Sequence, residues 1–120
     1  MAKASAGGER RGNPMGKEKD MPGDPYASGN WRVKEGSEQE FIARWQAWLS
    51  TSTATVKGFG SARLLQDTGD PRHFASFSAW EDDGSRDSWK TSSEFASGLA
   101  SCRELCEDVH VADYSEVARV

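Results

Sequence analysis

Asn30, Arg32 and Arg63 are amide or cationic side chains set inside segments that otherwise alternate like half-buried strands. Groups of this kind either line an enclosed chamber, where they orient a ligand, or sit at sheet edges and pair with carboxylates. Ser76 and Ser78 add two hydroxyls between Phe74 and Trp80 on one strand face. Trp80 and Trp89 flank the turn that leaves this strand, where a chamber mouth would open; core packing is the competing role for each. The substrate-pocket candidates are therefore Asn30, Arg32, Arg63, Ser76, Ser78, Trp80 and Trp89. Trp31, Trp45 and Trp48 complete the five tryptophans and read as core. Glu81 and Asp83 near the same turn are possible bases, but they form no distinctive pair, and no catalytic residue is assigned.

Other chemistries are poorly supported. Lys57-Gly58-Phe59-Gly60 matches the opening of an RNA-binding RNP1 strand, but Ser61 and Arg63 stand where base-stacking rings are needed. A glycine turn entering a strand explains the segment better. Cys102 and Cys106, four apart, lack neighbouring ligands for a metal and read as small core residues on one side of a helix. His73 and His110 have no Ser, Cys or carboxylate partner evident from spacing, so a nucleophilic triad is unsupported and surface positions are expected.

The elements that must position these residues follow from periodicity. Tyr26 to Lys34 alternates, with Ala27, Gly29, Trp31 and Val33 on one face; Gly36 ends it. Ser37 and Glu40 have the spacing of a capping box, and Phe41, Ile42, Trp45, Trp48 and Leu49 form one helical stripe. Ser50 to Thr55 is poor in helix formers and should fray that helix. Two strands, about Phe59 to Gln66 and His73 to Trp80, flank the turn residues Asp67 to Pro71. A short helix bearing Trp89 precedes a longer one starting near Ser92 or Ser93, which buries Phe95, Leu99, Cys102 and Cys106. The last dozen residues, with Val109, Val111 and Val117, close the pattern as a strand.

The order strand, helix, strand, strand, helix, strand predicts an α+β fold, the ferredoxin-like βαββαβ unit. That unit leaves one sheet face without helices. A second copy of the chain is the simplest cover, so a homodimer enclosing a chamber, a dimeric α/β barrel, is expected. Residues 25–120 form this domain, and residues 1–24, rich in Gly, Pro and charge, read as a disordered tail. Met1, Met15 and Met21 are all possible starts. The tail has no apolar core for a secretion signal, and no run is long enough to span a membrane. The net charge of −4 argues against a nucleic-acid partner, and the two cysteines are too few for a disulfide scaffold. A cytoplasmic protein is expected.

Three blocks carry a family resemblance over Tyr26 to Val120: Arg32-Val33-Lys34-Glu35-Gly36-Ser37 leading into Glu40-Phe41, then Phe74 to Glu81, and Ser88-Trp89-Lys90-Thr91-Ser92-Ser93-Glu94-Phe95. In these the chain resembles the antibiotic biosynthesis monooxygenase family of dimeric α/β barrels. The resemblance implies a reaction without flavin, heme or metal, in which a deprotonated electron-rich aromatic reacts with oxygen directly. Its expected activity is cofactor-independent monooxygenation of a small aromatic or polyketide-type substrate; the alternative is a small-molecule-binding or structural barrel without catalysis. The heme-degrading branch of the superfamily uses a strand Asn, a Trp and a helical His. Trp89 matches that Trp, Leu99 stands in place of the His, and the Asn position falls on Gly29, one residue from Asn30. No cofactor and no metal are expected.

Overall fold

A computed structural model describes residues 24–120, in the order β1 (Pro25–Val33), α1 (Glu38–Thr55), β2 (Phe59–Asp67), β3 (Asp70–Trp80), α2 (Asp83–Lys90), α3 (Ser93–Arg103) and β4 (Cys106–Ser115). This is the expected α+β ferredoxin-like unit, with its second helical segment divided in two. The proposed tail lies outside the described residues except for Asp24, whose carbonyl accepts the Glu116 amide at 2.9 Å. Among the described residues no helix is long and apolar enough to cross a membrane.

The four strands form one antiparallel sheet in the order β2-β3-β1-β4. Strand parity sends Trp31 and Val33 of β1 and Phe74 and Trp80 of β3 to one face, where they are buried against Phe41, Trp45 and Leu49 of α1, Trp89 of α2 and Cys102 of α3. Phe41 wedges between Trp31 and Phe74, with ring centroids 5.3 and 5.0 Å away. Fully burying a ring of this size contributes about 1.5–3 kcal/mol.

Three sequence expectations need correction. First, α1 does not fray at Ser50 but runs to Thr55. Its hydroxyls bond back onto the helix: Ser52 to the Trp48 carbonyl, Thr53 to Ser50 and Thr55 to Thr51, at 2.8–3.0 Å. The buried Ser52 also meets Glu94 at 2.6 Å, so α3 holds this turn in place. Second, Ser37 makes no side-chain cap, so the predicted capping box does not form. The first turn instead carries Glu38 and Glu40, which the helix dipole favours. The later helices are capped by side chains: Asp82 accepts the Ser85 amide and Ser92 the Phe95 amide. Third, Cys106 is not helical. The helix ends at Arg103, and Cys106 opens β4 opposite Val33, beside a register shift in β1. The strand expected over the last dozen residues therefore starts earlier and stops at Ser115, leaving Val117 outside it and exposed.

The other sheet face carries no element among the described residues. Its rows run Ser61-Ala79-Tyr26-Tyr114, Arg63-Phe77-Ser28-Ala112 and Leu65-Ala75-Asn30-His110 across the four strands.

Candidate functional site

A cavity lies between the helix-covered face of the sheet and the three helices. Its floor is strand backbone around Gly29 with Ser76 and Ser78. Its walls are Trp45, Trp48 and Leu49 of α1, Trp89 and Lys90 of α2, and Phe95 and Leu99 of α3. The empty space is about 410 Å³ including the open mouth, but the centre of a water-sized sphere can range over only about 30 Å³ of it. Lys90 is the one ionisable lining residue, and its Nζ reaches Asp113 Oδ1 at 2.5 Å. Arg86, almost fully buried, donates to the Tyr26 carbonyl at 3.3 Å and lies within ion-pair reach of Asp113, binding α2 to the sheet beside the cavity.

Of the sequence candidates, Ser76, Ser78 and Trp89 line this cavity. The serine hydroxyls are already engaged. Ser76 accepts the Trp31 indole N–H at 3.0 Å and Ser78 accepts that of Trp80 at 2.9 Å. Each also reaches a β1 carbonyl, Gly29 or Ala27, at 3.4–3.5 Å. They keep the floor small and fix two indoles rather than offering free nucleophiles. Trp80 is buried just behind the cavity, its ring 5.2 Å from that of Trp89.

Asn30, Arg32 and Arg63 lie on the opposite, open face, away from this cavity. Arg32 pairs with Asp70. Asn30 Oδ1 lies 2.9 Å from His73 Nε2, whose Nδ1 lies 3.1 Å from Asp67. His73 therefore does have a carboxylate partner, contrary to the sequence expectation. The hairpin brings Asp67 back beside β3, a proximity that spacing does not reveal. The hydrogen bond to His73 holds Asp67 below the usual carboxylate range, and that to Arg32 does the same for Asp70. Both groups are solvent-exposed, so their contribution to stability, lost as pH falls through those lowered values, is screened by water and salt. Arg63 is exposed and has no hydrogen bond or ion pair among the described residues.

The two thiols are free, and burial pushes Cys102 up to about 12 and Cys106 up to about 11. Among the described residues no cluster of three His, Cys, Asp or Glu side chains is placed to hold a metal ion. Trp45, Trp48, Leu49 and Phe95 were legible only as core, because a cavity wall and a packed core share the same apolar stripe.

The sequence profile of the antibiotic biosynthesis monooxygenase family matches residues 26–100. The chain belongs to the antibiotic biosynthesis monooxygenase family. No curated protein matches the sequence. Solved structures share the family fold. A conserved protein from Methanosarcina mazei Go1 superposes with a TM-score of 0.71 at 19% identity, covering 82% of this chain and 96% of its own. A protein from Pseudomonas aeruginosa gives 0.66 at 17%, covering 82% and 98%. SnoaB of Streptomyces nogalater, a cofactor-independent oxygenase seen there as a mutant, gives 0.69 at 16%, covering 81% and 94%.

Within this monooxygenase fold, Gly29 and Leu99 both line the cavity. These are the two positions that the resemblance to the heme-degrading branch aligns with its Asn and His, and here they offer the cavity a bare backbone and an aliphatic chain. If that alignment holds, a heme iron lacks its axial histidine at Leu99. Titration with hemin should accordingly give only a broad, unsaturated absorbance change; a sharp, stoichiometric Soret shift would refute this.

Proposed function

We propose that the chain is a cofactor-independent monooxygenase-like enzyme, a cytoplasmic homodimer that oxidises a small aromatic or polyketide-type substrate with molecular oxygen. The observation that supports this reading is the cavity itself, with aromatic and aliphatic walls and one ionisable lining residue, Lys90, whose ammonium pairs with Asp113. The candidate substrate has an acidic methylene or ring position next to a carbonyl or phenol. It loses a proton to solvent at the mouth, and the Lys90 ammonium turns from Asp113 to the resulting anion, which it stabilises among apolar walls. The anion adds oxygen to give a peroxide, which is protonated and eliminates water. In sum, one methylene and one molecule of oxygen become one ketone and one water, so that one oxygen atom goes to product and one to water. The protein excludes water, orients the ring and lowers the cost of the anion.

No carboxylate or imidazole lines the cavity, and this favours the second reading, a binding protein without catalysis. Anthrone separates the two. Under the first reading, oxygen uptake with anthrone exceeds its spontaneous oxidation, and the ketone formed carries label from isotopically heavy oxygen gas. Lys90→Met should then lower kcat by about a hundredfold, as loss of an anion-stabilising donor does. Stability should change by less than about 1 kcal/mol, since the ion pair to Asp113 is partly exposed. Tight anthrone binding with no uptake above background would establish the second reading instead.

A further inference from the structure

Trp48 differs from the tryptophans beneath it. The indoles of Trp31 and Trp80 are held by hydrogen bonds to Ser76 and Ser78, whereas the Trp48 N–H, like that of Trp89, is buried without a partner. The Trp48 side chain belongs both to the cavity and to an outer groove between α1 and α3, bordered by Arg44, Thr51, Ser97 and Gly98. It therefore stands between ligand space and solvent. Its five-membered ring rests on Gly98, where a methyl group would lie only 2.2 Å from Nε1. A glycine within a helix weakens that helix, and here its backbone admits the ring. The Trp48 indole also stacks on Trp89, with centroids 5.8 Å apart and planes 25° from parallel. With the ring in this position the remaining space holds water but no fused ring system.

We propose that Trp48 is a displaceable plug: a planar fused-ring aromatic ligand enters between α1 and α3 by turning the Trp48 indole off Gly98, then stacks on Trp89 in its place. The indole is itself a fused bicycle, so the site is already shaped for such a ligand and is filled by the protein's own side chain. Nothing but packing fixes the closed position, because the N–H forfeits no hydrogen bond on leaving. The buried N–H instead gains a partner from solvent when the ring swings out, which lowers the cost of opening. The proposal rests on the cavity being the ligand site and is independent of oxygen chemistry.

The test uses the full chain, the neutral probe 2-naphthol and two measurements. In protein labelled with 5-fluorotryptophan, with resonances assigned from single Trp→Phe variants, 2-naphthol should shift and broaden the Trp48 and Trp89 signals. Those of Trp31 and Trp80 should stay in place. Removing the plug in Trp48→Ala should tighten 2-naphthol binding by about tenfold and speed association, because the ligand no longer competes with the indole; Trp48→Phe should give a smaller gain in the same direction. A Trp48 signal that stays fixed while that of Trp89 moves overturns the plug and leaves the cavity as the ligand site. No movement of any signal overturns both. Weaker binding by folded Trp48→Ala or Trp48→Phe also overturns the plug, since a wall residue that contacts the ligand loses affinity on truncation.

Discussion

Trp89→Ala is expected to destabilise the domain by about 3–5 kcal/mol, the range for removing a buried Trp or Phe from a core that cannot collapse around the gap. The residue is only 5% exposed, and its ring meets four others: Phe95 at 4.7 Å, Trp80 at 5.2 Å, Phe59 at 5.4 Å and Trp48 at 5.8 Å. Those partners come from α3, β3, β2 and α1, so one side chain ties the short, polar α2 to every layer of the fold. A domain of this size has roughly 5–15 kcal/mol of stability in total, so the variant should melt far below the wild type. Urea denaturation gives the difference directly, and a loss below about 1.5 kcal/mol, well under the cavity range, would mean that the ring does not tie these layers together. Trp89→Phe sharpens the result. The Trp89 N–H has no partner, so deleting it breaks no hydrogen bond, and the shape change alone should cost about 1 kcal/mol. If the ring is also the platform on which ligand stacks, this mild variant should still change 2-naphthol affinity or anthrone turnover by more than it changes stability. A lowered melting temperature with unchanged affinity and rate would confine Trp89 to a packing role.

The sequence carried the fold further than it carried the site, and the reason lies in what each depends on. Alternation in β1 and β3 and the stripe from Phe41 to Leu49 report local geometry, and these elements formed close to where that geometry placed them. Where local signals failed, a tertiary contact intervened: Ser52 meeting Glu94 keeps α1 helical, and pairing with Val33 takes Cys106 into a strand. The pocket candidates combined two faces of one sheet. Asn30 and Arg32 have the opposite parity to Trp31, whereas Ser76 and Ser78 share the parity of Phe74 and Trp80; the antiparallel register, Gly29 opposite Ser76 and Trp31 opposite Phe74, separates them. Parity alone could have divided that set. It could not have shown that the space lies under the helices of one protomer, because its walls are tryptophans and leucines whose patterning is that of a filled core. Gly98 was the overlooked signal, a glycine inside a helix opposite a large ring.

Phe77→Lys is expected to dissociate the proposed homodimer, raising its Kd by more than about a hundredfold. The open sheet face carries Leu65, Phe77 and Tyr114 at 52%, 40% and 54% exposure, with Ala75, Ala79 and Ala112 between them. Large apolar side chains grouped on one open sheet face favour a cover, and a second copy supplies an identical face. Phe77 sits in the middle row, opposite Arg63 on β2 and Ser28 on β1. A lysine there would be desolvated beside Arg63, with like charges directly across the strand pair, and the aromatic contact would be lost as well. Central anchors of this type are worth about 2–4 kcal/mol to an interface, which sets the size of the effect. The protomer itself should remain folded, because the ring packs on no helix and its replacement lies on a solvated face once the copies part. Sedimentation velocity over a dilution series, with far-UV circular dichroism on the same samples, measures both quantities. A wild-type chain of monomer mass at micromolar concentration would remove the dimer altogether. A Phe77→Lys protein that stays dimeric down to nanomolar concentration would move the interface off this face. The hundredfold loss with an intact circular dichroism spectrum would place it there, with the ligand cavity of each copy on the far side of its own sheet.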